Sequence, residues 1–210
     1  MDGVIADTSL CHLQAWQEVL MARGVYYTEE DFRKSFGQRN EEIIRSVLGE
    51  EISQDQIDVI ASEKEESFRR IVRPNIKSLP GVIRLMEELI EHDFKMALAS
   101  STPMENIKLL TQSLGIDKSF HSVISAEDVT EGKPNPQVFL LAAQRLGVEP
   151  RNCVVIEDAV AGVMAAKKAG MYCLAVTNTH PRMSLAEADL IVDSLETVTA
   201  SDLEGLLNYS

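Results

Sequence analysis

The sequence predicts an α/β protein: a parallel sheet with helices on both faces, joined to an all-helical stretch near the N-terminus. Three observations predict it. Short, nearly all-apolar runs recur at 96–99, 123–124, 154–156, 174–176 and 190–192, each too short for a helix. Helical patterns separate several of them and end near Gly147 and Gly170. From about Ser9 to Arg73, by contrast, only helical spacing is present. Strands that are apolar on both faces belong to a sheet covered on both sides, where ligands bind beyond the carboxyl ends of the strands.

In the helical stretch, Leu13, Trp16, Val19 and Leu20 define one helix, and Ile43, Ile44, Val47 and Leu48 another. Ser53, with Gln56 three residues on, reads as a capping box opening the next. Pro74 interrupts the pattern and predicts extended chain just before it. Pro80-Gly81 precedes a helix whose apolar face is Val82, Leu85, Met86, Leu89 and Ile90. After the run 96–99, Thr102 is placed to cap a helix with Pro103 at its first position and Glu105 three residues after the cap. Gly115 suits that helix's end.

The 210 residues suffice for one ordinary domain plus a modest insert. Hydrophobic residues make up 45% and charged residues 25%, the mixture of a globular protein. No run approaches the roughly 20 apolar residues of a membrane span, and no secretory signal opens the chain. A formal charge of -13 argues against a nucleic-acid partner. It still allows a small phosphorylated metabolite, because local cations and a metal can reverse the sign of one pocket. Cys11, Cys153 and Cys173 are widely spaced and read as reduced core residues of a cytoplasmic protein. The sequence leaves the oligomeric state open.

Four clusters fall where chemistry belongs. They are 2–8 at the N-terminus, Ser100-Ser101-Thr102 after the strand 96–99, 132–136 around Lys133, and Glu157-Asp158 after the strand 154–156. Singly, the hydroxyls and carboxylates read as helix caps and the lysine as a solvated loop residue. Jointly, at the strand ends of one sheet, hydroxyl and ammonium suit phosphoryl oxygens, and adjacent carboxylates suit a hard cation such as Mg²⁺.

The order and spacing of these clusters resemble the haloacid dehalogenase superfamily, in the branch of phosphoglycolate phosphatases and β-phosphoglucomutases. Asp2-Gly3-Val4-Ile5-Ala6-Asp7-Thr8 resembles the tail of the first motif, Asp-x-Asp-Gly-x-x-x-Asp-Thr. Ser100 matches the second motif, Lys133 the third, and Glu157-Asp158 with Gly162 the fourth. The resemblance implies a Rossmann-like core over 1–8 and 78–210 and an inserted helical cap over 9–77. Thr8–Ser9 and Pro74–Leu79 are then the candidate hinges. It also implies an aspartyl-phosphate mechanism in which Asp2 is the acid-base residue. Ser100, Ser101 and Lys133 would hold phosphate, with Lys133 also aiding catalysis. Mg²⁺ would be held by Asp158, Glu157 and the Asp2 carbonyl. Asp2 favours phosphoryl transfer over carbon–halogen cleavage, because true dehalogenases lack the second aspartate.

The nucleophile of this pattern would stand two residues before Asp2, and the sequence opens at Met1. One expectation is that the start was assigned at an internal methionine or that the chain was cut there. The other is a catalytically dead relative that binds phosphate or a partner. As written, the chain is expected to form no aspartyl phosphate. For substrate choice, His12 could approach the site, and Arg39 could contact an anionic substrate from the loop 36–42. Phe36 and the spacing of Arg39 from Gly37 depart from the β-phosphoglucomutase pattern, which favours a Mg²⁺-dependent phosphatase and leaves the mutase as the alternative.

Overall fold

The computed structural model describes residues 1–208. The helical stretch folds as α1 (Ser9–Met21), α2 (Glu29–Ser35), α3 (Asn40–Leu48) and α4 (Gln54–Val72). Their apolar stripes meet in a cluster that includes Leu13, Trp16, Leu20, Phe32, Ile44 and Ile57. Ser53 and Gln56 form the expected capping box at the start of α4, and Thr28 with Asp31 forms one for α2. Each such cap satisfies donors the first turn leaves open, worth about 1 kcal/mol. Phe68 and Val72 of α4 pack with Ala15 and with Leu110 from the α/β part, tying the two regions together. The expectation of extended chain before Pro74 is corrected. Arg73 is helical, and Pro74 lies in a short 3₁₀ turn, Arg73–Asn75, that prolongs α4. The Arg73 N–H still donates to the Arg69 carbonyl, so helix continuation outweighs the steric bias before proline.

The rest of the chain alternates: α5 (Val82–Glu91), β1 (Ala97–Ala99), α6 (Met104–Ser113), β2 (Ser122–Ile124), α7 (Gln137–Leu146), β3 (Val154–Glu157), α8 (Val160–Lys168), β4 (Tyr172–Val176), β5 (Leu190–Val192) and α9 (Ala200–Leu207). Every pairing between these strands is parallel, with Leu98 opposite Val123, Ile156 opposite Leu174 and Ala175 opposite Ile191. Side chains alternate across β4 as strand geometry dictates. Cys173 and Ala175 join a core with α7 and α8, while Leu174 and Val176 join one with α5 and α9. Helices therefore cover both faces, as predicted. Gly147 ends α7 at φ 65°, a left-handed conformation that favours glycine.

The sheet is interrupted. β1 pairs with β2, and β3–β4–β5 form a separate sheet. Between β1 and β3 lies a cavity of about 590 Å³ with walls that include Leu85, Met96, Leu98, Phe139, Val154 and Ile156.

Candidate active site

β1 delivers Ser100, β3 delivers Glu157 and Asp158, and the loop before α7 delivers Lys133. All four are buried. With Asp2, His12, Ser101 and Thr102 they line one cavity of about 70 Å³, roughly the share of two water molecules. A tight turn holds Asp2 there. The Met1 carbonyl accepts from Ile5 N at 2.7 Å, and the Gly3 carbonyl accepts from Asn178 Nδ2 at 2.9 Å. Gly3 has φ 69°, and a Cβ on it would lie 1.8 Å from Asp158 Oδ2, so only glycine lets the turn approach this close.

The Asp2 carboxylate accepts three hydrogen bonds. Oδ1 takes Thr8 Oγ1 at 2.5 Å and His12 Nε2 at 3.1 Å, and Oδ2 takes Thr102 Oγ1 at 2.9 Å. Burial alone would raise this carboxyl. The opposing pull of the His12 imidazole, together with the nearby N-terminal ammonium and the Thr8 hydroxyl, outweighs it and holds Asp2 well below the usual carboxylate range. Behind Asp2 a buried polar chain continues into the helical region. Lys64 Nζ lies 3.1 Å from His12 Nδ1 and 2.7 Å from Glu65 Oε1. An ammonium only donates, so Nδ1 must accept and Nε2–H is the donor to Asp2. Asn40 and Asn106 donate to the two oxygens of Glu65, and the His12 ring stacks on Phe68 at 3.8 Å.

On the other side, Lys133 Nζ forms a buried ion pair with Glu157 Oε1 and lies 4.9 Å over the Phe139 ring. Glu157 Oε2 accepts from the backbone N–H of Asp158 and of Ala159 at 3.0 and 3.1 Å. Burial opposes ionisation of Glu157, but Lys133 outweighs it and lowers the carboxyl. Asp158 has no such partner. Burial first, then the adjacent Glu157 carboxylate, push it up to about 7, against a hydrogen bond from Thr179. Gly162, inside α8, makes room for Glu157, since a Cβ there would stand 2.1 Å from the Glu157 carboxyl carbon. Gly162→Ala is therefore expected to lower thermal stability, although alanine alone would favour a helix by about 1 kcal/mol. A melting temperature raised by the substitution would show that Glu157 moves without cost.

The structure gathers Asp2, His12, Ser100, Ser101, Lys133, Glu157 and Asp158 around one cavity but does not add Arg39 to its lining. Arg39 Nη1 instead donates to the Thr130 carbonyl at 2.6 Å, bracing α3 against the loop that carries Lys133. Gln38 and Asn40 line the cavity in its place. Thr102 is not a helix cap as expected. The Met104 N–H at the start of α6 donates instead to the Glu127 carboxylate at 3.2 Å, and the Thr102 hydroxyl donates to Asp2. Lys64, Glu65 and Asn106 carried no motif. Lys64 did leave one signal, a charge on the otherwise apolar α4 stripe of Ile57, Ile60, Phe68 and Val72. Among the described residues, no three His, Cys, Asp or Glu side chains converge as a ready metal cage. Asp2 is turned to its hydroxyl and imidazole donors and Glu157 to Lys133.

Parallel strands ending in carboxylates, a lysine and hydroxyls define an α/β protein with a charged site at the carboxyl edge of its sheet. Residues 1–176 match the family model described as haloacid dehalogenase-like hydrolase, and the chain belongs to that family. It is 31% identical over 206 residues to a β-phosphoglucomutase of Bacillus subtilis, covering 95% of this chain and 89% of that protein. It is 35% identical over 175 residues to a fructose-1-phosphate phosphatase of Escherichia coli, covering 81% and 90%. Among solved structures, a β-phosphoglucomutase from Clostridium difficile superposes with a TM-score of 0.89 at 27% identity, covering 99% of this chain and 94% of that one. CbbY from Rhodobacter sphaeroides, in complex with phosphate, gives 0.87 at 27%, covering 97% and 96%. No helix among the described residues is long and apolar enough to cross a membrane.

Proposed function

We propose that this fold serves Mg²⁺-dependent hydrolysis of a small phosphate monoester through an aspartyl phosphate. The observation that carries the reading is the meeting of Asp2, Ser100, Lys133 and Asp158 at one cavity. Asp2, a carboxylate held by three donors, serves as the general base for the attacking water, and it serves as the acid for the leaving oxygen only with a proton it first takes up, such as the one a phosphate monoester monoanion brings. Ser100, Ser101 and Lys133 bind the phosphoryl oxygens. Residues 1–8 and 78–210 form the core and 9–77 a cap, which swings at Thr8–Ser9 and Pro74–Leu79 to admit a substrate larger than the closed cavity. The three free cysteines fit a cytoplasmic protein.

The donors suit a hard cation. Glu157 and Asp158 are neighbouring buried carboxylates with one lysine between them, and the raised Asp158 reflects that excess of negative charge. Asp158 and the Asp2 carbonyl would hold Mg²⁺, with Glu157 direct or through water. When bound, the ion neutralises charge on the phosphoryl oxygens.

Binding of the ion competes with protonation of Asp158, whose carboxyl takes up a proton as the pH falls through about 7. MgCl₂ is therefore expected to raise the melting temperature most at pH 8, less at pH 7 and little at pH 5. A pH-independent shift would remove Asp158 from the binding set.

The nucleophile position precedes Asp2 by two residues and is not part of this sequence. Mg²⁺-dependent turnover of p-nitrophenyl phosphate by residues 1–210 alone would sink the aspartyl mechanism. With an apolar strand ending in aspartate fused ahead of Met1, hydrolysis should appear. Likeness to mutases over nearly the whole chain favours a second reading, β-phosphoglucomutase. Formation of glucose 6-phosphate from β-glucose 1-phosphate by the fused chain would establish it over the phosphatase.

A further inference from the structure

We infer that Thr179 sets which divalent cation the site accepts, by holding one oxygen of Asp158 so that only the other is open to an ion. Asp158 as a ligand, and with it this selectivity, rests on the Mg²⁺-dependent reading. Parallel register brings the loops after β3 and β4 to one edge of the sheet, with Glu157 opposite Ala175. Residues 177–180 leave β4 as a turn and not as extended chain, so consecutive side chains can reach one target instead of alternating away from it. Asn178 Nδ2 donates to the Gly3 carbonyl at 2.9 Å, and Thr179 Oγ1 donates to Asp158 Oδ2. His180 Nδ1 lies 3.2 Å from the Asp158 carbonyl, which only accepts, so that nitrogen carries the proton.

The carboxylates lining the cavity differ in how far they are committed. Asp2 accepts three hydrogen bonds, Glu157 holds Lys133 and two backbone N–H groups, and Glu65 takes Lys64, Asn40 and Asn106. Among the described residues, the Asp158 carboxylate accepts from Thr179 alone, and on one oxygen. That oxygen is crowded from a second side. A Cβ on Gly3 would stand 1.8 Å from Oδ2 and 2.8 Å from Thr179 Oγ1, so the glycine, the carboxylate oxygen and the hydroxyl meet at one point. Oδ1 is left without a donor. An ion seated across both oxygens must displace the Thr179 hydroxyl, whereas an ion on Oδ1 leaves it in place. Mg²⁺ takes single oxygens at about 2.0–2.1 Å and keeps several waters. Ca²⁺ gathers roughly six to eight oxygens at about 2.3–2.6 Å and often takes both oxygens of one carboxylate. The hydroxyl on Oδ2 therefore favours the smaller ion.

The test is calorimetric titration of the full chain with MgCl₂ and with CaCl₂ at pH 8, with no substrate present. Thr179→Val keeps the shape of the side chain and removes the donor, and at a half-buried loop position it should fold as the native chain does. It should lower the preference for Mg²⁺ over Ca²⁺, read as the ratio of the two dissociation constants, by about tenfold, the scale of one hydrogen bond to a charged group. Thr179→Ser keeps the hydroxyl and should stay within about twofold of the native ratio. Asn178→Ala loosens the same loop without touching Asp158 and should weaken both ions equally. Selectivity by Thr179 is overturned if the valine chain keeps the native ratio, or if Asn178→Ala shifts the ratio as far, since order in the loop alone would then account for it. Asp158→Asn separates this from the reading beneath it. Loss of Mg²⁺ binding in that variant, with an unchanged ratio in Thr179→Val, overturns the selectivity alone. A native chain that binds neither ion, or an Asp158→Asn chain that binds Mg²⁺ as tightly as the native one, overturns the cation site and the selectivity with it.

Discussion

Lys133→Met is expected to destabilise the protein by about 3–5 kcal/mol at pH 8, the usual consequence of leaving one half of a buried ion pair unpaired. Methionine keeps most of the stem that lies over Phe139, so the loss is mainly one of charge. Without the ammonium, Glu157 and Asp158 remain as adjacent buried carboxylates facing no cation. The pH dependence follows from the two groups. In the native protein Glu157 is lowered by Lys133, so its contribution is present above its unfolded pKa near 4.5 and is lost as the pH falls below that. Asp158 is raised from 3.8 to about 7, so folding binds an extra proton and stability declines as the pH rises across that window. Removing Lys133 moves Glu157 upward too and widens the range over which a rising pH destabilises the fold. Urea melts should therefore show a difference between variant and native chain that grows from pH 5.5 to pH 8 and shrinks when MgCl₂ is added. An equal loss at both pH values would assign Lys133 a packing role alone.

Local periodicity made the α/β class legible. The run Leu174-Ala175-Val176 could be read as a strand covered on both faces because each of its residues is apolar, and the sheet uses each of them that way. Ser53 with Gln56 was equally legible, since a capping box is complete within four residues. Contacts across the fold were not. Thr102 meets Asp2 across 100 positions and Lys64 meets His12 across 52. A hydroxyl beside a helix start reads locally as a cap, so its true partner appears only once β1 has brought it to the N-terminal turn. Arg39 shows the same limit, since its bond to the Thr130 carbonyl spans 91 positions and leaves no local signal.

Asp2→Asn, made in the chain with an aspartate-ended strand fused ahead of Met1, is expected to lower kcat by about 10²–10⁴-fold while leaving phosphate binding and stability nearly unchanged. The hydrogen bonds explain the split. The amide oxygen can keep the donors Thr8 and His12, and the amide NH₂ can donate to the Thr102 hydroxyl, which reverses its own role. No buried group is left unsatisfied, so the turn at Met1–Ala6 should survive. What disappears is the ability to take and return a proton. In this chain the carboxyl is lowered, with His12 as the largest opposing influence to burial, so it is ionised in the neutral region, which is the form a base must have. The comparison that decides is kcat against phosphate affinity, with Ser100→Ala as the reference. Loss of the Ser100 hydroxyl should weaken phosphate binding together with turnover, whereas Asn at position 2 should spare binding. An Asp2→Asn chain that turns over within about threefold of its parent would show that the proton moves elsewhere, with His12, 3.1 Å away and linked to Lys64, as the next group to replace.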